Sequence, residues 1–308
     1  MGFIGSHLAE KVSQSGYQVT VFDSWTLSDL KGKVDFIQGD ITDFDQVRNA
    51  VRGQDGVVHL AAISKISAAF EDPLGCIRTN VLGTMNVLEG VREDSNHAWV
   101  ILTSTRETAS SESDRDKGKF RKIDNLYGIS KLVGEICGER YAIDYKSRIL
   151  TLKLSDVYGS KRDNPRKVVS KLVLRALNNL DLLIQQGEQQ FDFTHWKDVT
   201  DGFLFAIKNI EQARESYYND FAICTGKKTS LEELARMILK EAQSTSRIVY
   251  FELNVRASRR HFTSPKKAQN ILGFKAKIGL PEGIKETVGI SREQLQTEGS
   301  SRFGDVLG

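Results

Sequence analysis

Cysteine is scarce in this chain of 308 residues: Cys76, Cys137 and Cys224 are its three, far apart and without a CxxC pair. That spacing excludes a disulfide framework and disfavours a zinc site. Reduced, buried thiols of a cytosolic protein are the reading that remains. No apolar run approaches the ~20 residues that cross a bilayer. Nothing at the start has the build of a secretory signal, since Met1 leads straight into an amphipathic stretch. The expectation is a cytoplasmic protein with no membrane partner and no metal. An excess of one charge is also missing. Lys and Arg number 43 against 40 Asp and Glu, a net charge of +3. The two signs are interleaved, so no nucleic-acid surface is expected. No internal repeat is detected.

What is there suits a buried core, because 40% of the residues are hydrophobic and 27% are charged. Apolar runs of strand length lie at 18–23, 34–37, 56–62, 99–104 and 149–154. Near-continuous apolar strands are buried on both faces and belong to a parallel sheet. Helical patterns alternate with them at 6–15, 44–52, 80–91 and 126–145. This alternation predicts an α/β fold with a Rossmann-like, doubly wound parallel sheet. After about residue 160 the rhythm changes to helices at 167–180 and 229–242 with short strands at 182–185 and 247–251. The expected organisation is a dinucleotide-binding domain over 1–160, to which 187–210 returns. A smaller C-terminal α/β lobe for substrate follows over 161–296, then a disordered tail over 297–308. The polar stretch 110–119 is expected to be a mobile loop.

Two clusters carry candidate chemistry. At the start, Gly2-Phe3-Ile4-Gly5 runs into a helix. Gly2 would let a diphosphate approach the backbone, Gly5 would allow close helix packing, and the helix N-terminus would stabilise the anion. Two glycines at a start are equally an ordinary turn. Asp23 ends the next strand, where a carboxylate would accept hydrogen bonds from an adenosine ribose and disfavour a 2′-phosphate. Asp40, before Ile41, could meet an adenine amino group; both aspartates also read as turn residues. The second cluster is Tyr127-Gly128-Ile129-Ser130-Lys131. Tyr127 and Lys131 share a helix face at i, i+4, and an ammonium there would favour the phenolate and make a proton acceptor. Ser104 and Thr105 end the strand before that helix and would add hydroxyls in the same crevice.

Taken in order, these stretches resemble the extended short-chain dehydrogenase/reductase family, in its NAD-dependent epimerase/dehydratase branch acting on nucleotide sugars. The matching runs are GFIGSHL at 2–8, GDITD at 39–43, HLAA at 59–62, NVLGTMNVLEG at 80–90, TST at 103–105, YGISKLVGE at 127–135, LSDVYG at 154–159 and DFTHWKDV at 192–199. The resemblance covers nearly the whole chain. It implies NAD as cofactor, held by Gly2, Phe3, Ile4, Gly5, Asp23, Asp40, Ile41, Leu60, Ala61, Ala62, Asn80, Ser104, Tyr127, Lys131 and Leu154. It implies Tyr127 as the base on a sugar hydroxyl while hydride passes to NAD. Lys131 would lower the phenol pKa and hold the ribose, and Thr105 would bond the reacting oxygen. Substrate candidates are Thr105, Glu107, Asp156, Arg256 and Arg260, with Arg259 beside them. Relatives commonly dimerise through the helices at 78–92 and 126–145, so a homodimer is expected.

The departures narrow the reading. Dehydratases of this family carry Thr-Asp-Glu where this chain has Thr105-Arg106-Glu107, and arginine cannot act as a general acid. Asp156 replaces a usual Asn, and Phe191 stands where an Arg commonly binds the diphosphate. The family's first strand and first glycine would lie upstream of Met1, so the sequence is expected to be short at its start; a naturally clipped, inactive protein is the other reading. The leading expectation is a UDP-hexose 4-epimerase. The alternatives are a dehydratase, decarboxylase or oxidoreductase on the same scaffold, and a non-catalytic dinucleotide-binding protein.

Overall fold

The run WVILTST is apolar for four residues without a break, and it is buried almost throughout because both its faces are covered. It forms strand Trp99–Thr105, around which the first part of the chain is arranged. The structure is a computed structural model and describes residues 2–25, 30, 32–94, 98–108, 123–185, 189–251, 262–299, 303 and 306. In chain order this part holds α1 (Phe3–Gln14), β1 (Thr20–Asp23), β2 (Asp35–Gln38), α2 (Phe44–Val51) and β3 (Gly56–His59). Then come α3 (Ile66–Glu71), α4 (Pro73–Ile77), a π-helical segment (Arg78–Leu82) and α5 (Gly83–Glu93). Strand β4 (Trp99–Thr105), a 3-10 turn (Arg106–Thr108), α6 (Leu126–Asp144) and β5 (Arg148–Leu154) complete it.

Four parallel strands form the main sheet in the order Tyr217–Ile223, β5, β4, β3. A separate parallel pair joins β1 to β2. Helices cover these strands, which is the α/β arrangement that the alternating pattern predicts. No ladder connects the pair to the four-stranded sheet among the described residues, so β1 and β3 each keep one unpaired edge there. Helix α6 lies directly on the sheet. A Cβ at Gly138 would stand 2.7 Å from Leu102 Cδ1 and 3.2 Å from Ile149 Cγ2, so only glycine permits this approach.

The chain divides into two units. The first contains residues up to Leu154, then Thr200–Ile223 and His261–Phe274. Strand Tyr217–Ile223, absent from the sequence-based expectation, gives it a fourth parallel strand. The stretch 187–210, expected to return to this unit, does so only from Thr200 onward. The reason is that Phe193–His195 pairs in parallel with Asp156–Tyr158 in the second unit.

The second unit is built on the helices Val168–Leu177, Leu231–Ala242 and Leu280–Glu298 and three short strand pairs. Ser230 and Glu233 cap the second of these helices reciprocally. Its core gathers Tyr158, Leu172, Leu182, Phe193, Leu234, Ile238 and Ile284. The tail is not simply disordered: Phe303 and Val306 are buried with Leu174, because the apolar side chains find a place there, and Arg175 donates to the Val306 carbonyl at 3.2 Å. The loop at 110–119 lies outside the described residues.

One carboxylate ties the second unit's loops. Asp192 is buried and accepts the Thr225 hydroxyl at 2.6 Å, the Thr225 amide at 3.1 Å and the Gly226 amide at 2.7 Å. Replacing it leaves these donors without their partner. Asp192→Ala is therefore expected to lower stability by roughly 2–4 kcal/mol, read as a displaced urea midpoint; an unchanged midpoint would contradict this account.

Candidate active site

The site begins with a helix cap. Asn125 Oδ1 accepts the Gly128 amide at 2.7 Å, which fixes the first turn of α6 and with it Tyr127. Lys131 follows one turn later and is buried. The same turn is held from behind. Ser130 donates to the Tyr127 carbonyl at 2.7 Å and accepts the Asn80 amide at 2.9 Å. Asn80 also exchanges hydrogen bonds with the Ile63 backbone, at 2.8 and 3.0 Å. Its side chain is thus committed to latching the loop after β3 onto α6 rather than free for a cofactor.

Strand β4 delivers Thr105, whose hydroxyl lies near enough to the Tyr127 phenol to act on its ionisation. Leu154 is its partner across the ladder at the carboxyl end of β5. Ser104, one residue earlier, points the other way, as the two-residue period of a strand requires. Its hydroxyl donates to Glu135 at 2.5 Å, so it does not share the crevice with Thr105. The turn that follows buries Arg106 and Glu107 side by side, with 3.5 Å between Nε and Oε1.

Charge in this cluster is set mainly by burial. Burial pushes the Tyr127 phenol up to about 12, and the Thr105 hydroxyl is the largest opposing influence. Burial likewise pushes the Lys131 ammonium down to about 8, while Glu135 acts to raise it. The expected lowering of the phenol by Lys131 does not figure among the influences on Tyr127, where burial dominates and Thr105 and Arg106 oppose it. His59, at the end of β3, is pushed down to about 3 by burial and by Lys131. Its Nε2 lies 3.0 Å from the Thr84 hydroxyl.

Further dinucleotide candidates of the first unit lie at three strand ends and one helix start. Gly2 is the N-cap of α1, with no side chain capping the exposed amides. A Cβ at Gly2 would meet nothing within 4 Å, so the space before these amides is open, and a diphosphate fits there. Phe3 and Ile4 form the first helical turn, and Gly5 approaches Leu60, with 3.7 Å between an added Cβ and Cδ1. Leu60, Ala61 and Ala62 follow β3 as a half-buried loop. Asp23 ends β1 and accepts the Trp25 amide at 3.0 Å. Asp40 closes a turn by accepting both the amide and the hydroxyl of Thr42. Ile41 packs against the core beside Gly83.

The substrate candidates are more scattered. Asp156 belongs to the second unit. Phe191 is buried there and stacks on Phe193 at 5.3 Å, so it serves packing. Arg256, Arg259 and Arg260 lie outside the described residues. Glu135 and His59 are missed by the sequence reading, although both sit in quoted motifs. The available signal was spacing: Tyr127, Lys131 and Glu135 fall at i, i+4, i+8 on one helix face. No group of side chains able to hold a metal occurs among the described residues. No described helix is long and apolar enough to cross a membrane.

The model of one family, the NAD dependent epimerase/dehydratase family, matches residues 1–223. The chain belongs to that family. Its cofactor is NAD. A putative UDP-glucose 4-epimerase of Methanocaldococcus jannaschii is 29% identical over 96% of this chain and 97% of its own. The UDP-glucose 4-epimerase of Thermotoga maritima, solved with UDP-glucose, superposes with a TM-score of 0.86 at 26% identity, covering 96% of this chain and 97% of that one. MoeE5, solved with UDP-glucuronic acid and NAD, gives a TM-score of 0.83 at 26% identity, with the same coverage.

The neutral His59 of this family member has a measurable consequence. Its folded pKa lies far below 6.5, so between pH 6.5 and about 3 the unfolded chain takes up a proton that the folded one refuses. The stability it contributes is present above that window and is lost as pH falls through it. His59→Gln is expected to flatten the decline of unfolding free energy across the window, measured by urea titrations at successive pH values.

Proposed function

We propose that this protein is an NAD-dependent nucleotide-sugar 4-epimerase acting on a UDP-hexose. The observation that carries the reading is the placement of the Thr105 hydroxyl, at the carboxyl end of β4, near enough to the Tyr127 phenol to favour its ionised form, with Lys131 one turn further on. NAD, when bound, would supply the acceptor for hydride from C4 and its return to the opposite face of the resulting 4-keto sugar. Tyr127 removes the C4 hydroxyl proton and later gives it back. Thr105 holds the reacting oxygen beside the phenol. Lys131, at about 8, keeps its proton at neutral pH and so favours the phenolate. A phenol at about 12 needs such support before it can act as a base.

Arg106 favours epimerisation over dehydration. It is buried against Glu107, and a guanidinium cannot protonate a leaving hydroxyl. In this reading Glu107 and Asp156 are candidates for binding the sugar nucleotide, as are the arginines at 256 and 260. The test is incubation of the purified protein with UDP-glucose and NAD. UDP-galactose without net NADH is expected. A keto-deoxy sugar or net NADH would overturn the 4-epimerase reading, and bound NAD without turnover of any nucleotide sugar would support a binding protein. Tyr127→Phe should lower kcat by ~10²–10⁴-fold while leaving NAD binding intact by calorimetry.

We further infer a homodimer. Ile129, Ile136 and Ile143 recur every seven residues along α6 and are all exposed, as are Phe70 and Leu74 on α3 and α4. An apolar stripe of this kind on one helix, with apolar neighbours on two others, suits a second copy of the same chain. Ile136→Lys is expected to shift the mass in light scattering from dimer to monomer; a monomeric starting protein would refute the inference.

A further inference from the structure

One buried carboxylate joins the elements of the site without touching the reacting groups. Glu135 lies on α6, one turn beyond Lys131, and is buried. Its Oε1 accepts the Ser104 hydroxyl from β4 and the Thr108 hydroxyl from the turn that follows. Those two residues flank Thr105 and its turn, and the single proton of the Thr108 hydroxyl is shared between Glu135 and the Thr105 carbonyl 2.8 Å away. Its Oε2 faces Lys153 Nζ of β5 at 3.2 Å. A carboxylate held by two hydroxyls and an ammonium in the interior has few alternative arrangements.

We propose that Glu135 is a positioning residue of this active site: it fixes the Thr105 turn against the helix bearing Tyr127, and it supplies the negative charge that balances Lys131. The proposal rests on the Tyr127–Lys131 chemistry of the preceding section.

The charges around Lys131 come from every element packed near it. They are His59 on β3, which is neutral, Cys76 on α4 and Glu135 on α6. Lys153 on β5 faces Glu135 from the far side. It is shared with Asp220 at 2.6 Å, and Asp220 is in turn paired with Lys267 at 2.6 Å. Burial would raise the Asp220 carboxyl, yet Lys153 and Lys267 together draw it down to about 2. Asp220 therefore stays charged and serves Lys153 and Lys267. Glu135 is the carboxylate that acts on Lys131, and its influence is to raise the pKa of that ammonium.

The charge and the scaffold are separable by substitution. Glu135→Gln keeps an acceptor for Ser104 and Thr108 but removes the charge. Glu135→Asp keeps the charge but draws it back by one methylene. In protein labelled with 15N-lysine, the Nζ signal of Lys131 is assigned by its loss in Lys131→Met and titrated with NAD bound. Its midpoint is expected to fall by about one pH unit or more in Glu135→Gln and to stay near the wild-type value in Glu135→Asp. The alkaline limb of kcat should move acidward by the same amount in the Gln variant, with KM for the sugar nucleotide unchanged within about twofold. If Glu135→Gln does not fold, the double variant Glu135→Gln/Lys153→Met removes the charge on both sides and is measured instead. If that pair also fails to fold, Glu135→Asp alone decides, because it must keep the Lys131 midpoint while lowering kcat by tenfold or more. An unmoved Lys131 midpoint in a folded Gln or double variant, or a fully active Asp variant in that last case, would overturn the proposal. The titration does not depend on which sugar is turned over, so failure of the epimerase reading leaves it interpretable.

Discussion

Helix α6 packs closely on strand β4 at Gly138, where the Leu102 and Ile149 side chains fill the space between them, and this contact sets the distance between the residues that matter. Tyr127 and Lys131 ride on the helix, Thr105 on the strand. Thr105 reaches the phenol only where the two elements meet at one spacing and one register. Gly138 provides the spacing, since any side chain there would meet Leu102 and Ile149. Asn125 provides the register by starting the helix, and Asn80 and Ser130 hold its first turn from behind. The turn that carries Tyr127 and Lys131 is therefore supported on several sides by neutral hydrogen bonds. Groups held in this way lose little freedom when a substrate arrives.

The electrostatics follow from the same tight packing. Desolvation moves the Tyr127 phenol, the Lys131 ammonium and the His59 imidazolium toward their neutral forms. His59 yields completely, so it adds no positive charge beside Lys131. Lys131 yields only in part, because Glu135 lies one turn away. Arg106 and Glu107 form a buried pair of opposite sign next to the phenol and act on it in opposite directions.

Much of this was legible beforehand, for identifiable reasons. The alternation of apolar strands with amphipathic helices needs only burial on both faces of a sheet, and it located β1 to β5 within a few residues. The placement of Thr105 opposite the Tyr127 helix followed from motif order. Other parts needed coordinates. Strand Tyr217–Ile223 opens with Tyr-Tyr-Asn-Asp, half-buried and polar enough to hide its pairing with β5. Assigning Ser104 and Thr105 to one crevice overlooked the alternation of a strand, which sends neighbours to opposite faces. Asn80 read as a cofactor ligand because its motif is shared, whereas its amide is spent on Ile63 and Ser130. The tyrosine's environment could not be anticipated, because i, i+4 spacing gives the ammonium but not the dehydration around both groups.

The way the first unit is assembled bears on how the polypeptide acquires its shape during synthesis. Its segments end at Leu154, then resume at Thr200 and again near residue 261. The last strand of its main sheet comes from the middle segment, and Lys267, which neutralises Asp220 on that strand, comes from the last. A ribosome that has made the first 154 residues has therefore delivered β5 with one edge still waiting for a neighbour. The nascent chain must extrude Ser155–Val199 of the second unit before that edge is closed. Until then the exposed backbone is open to wrong partners, and a trigger-factor-like holdase bound over this interval would raise the yield of active protein more than one added after release.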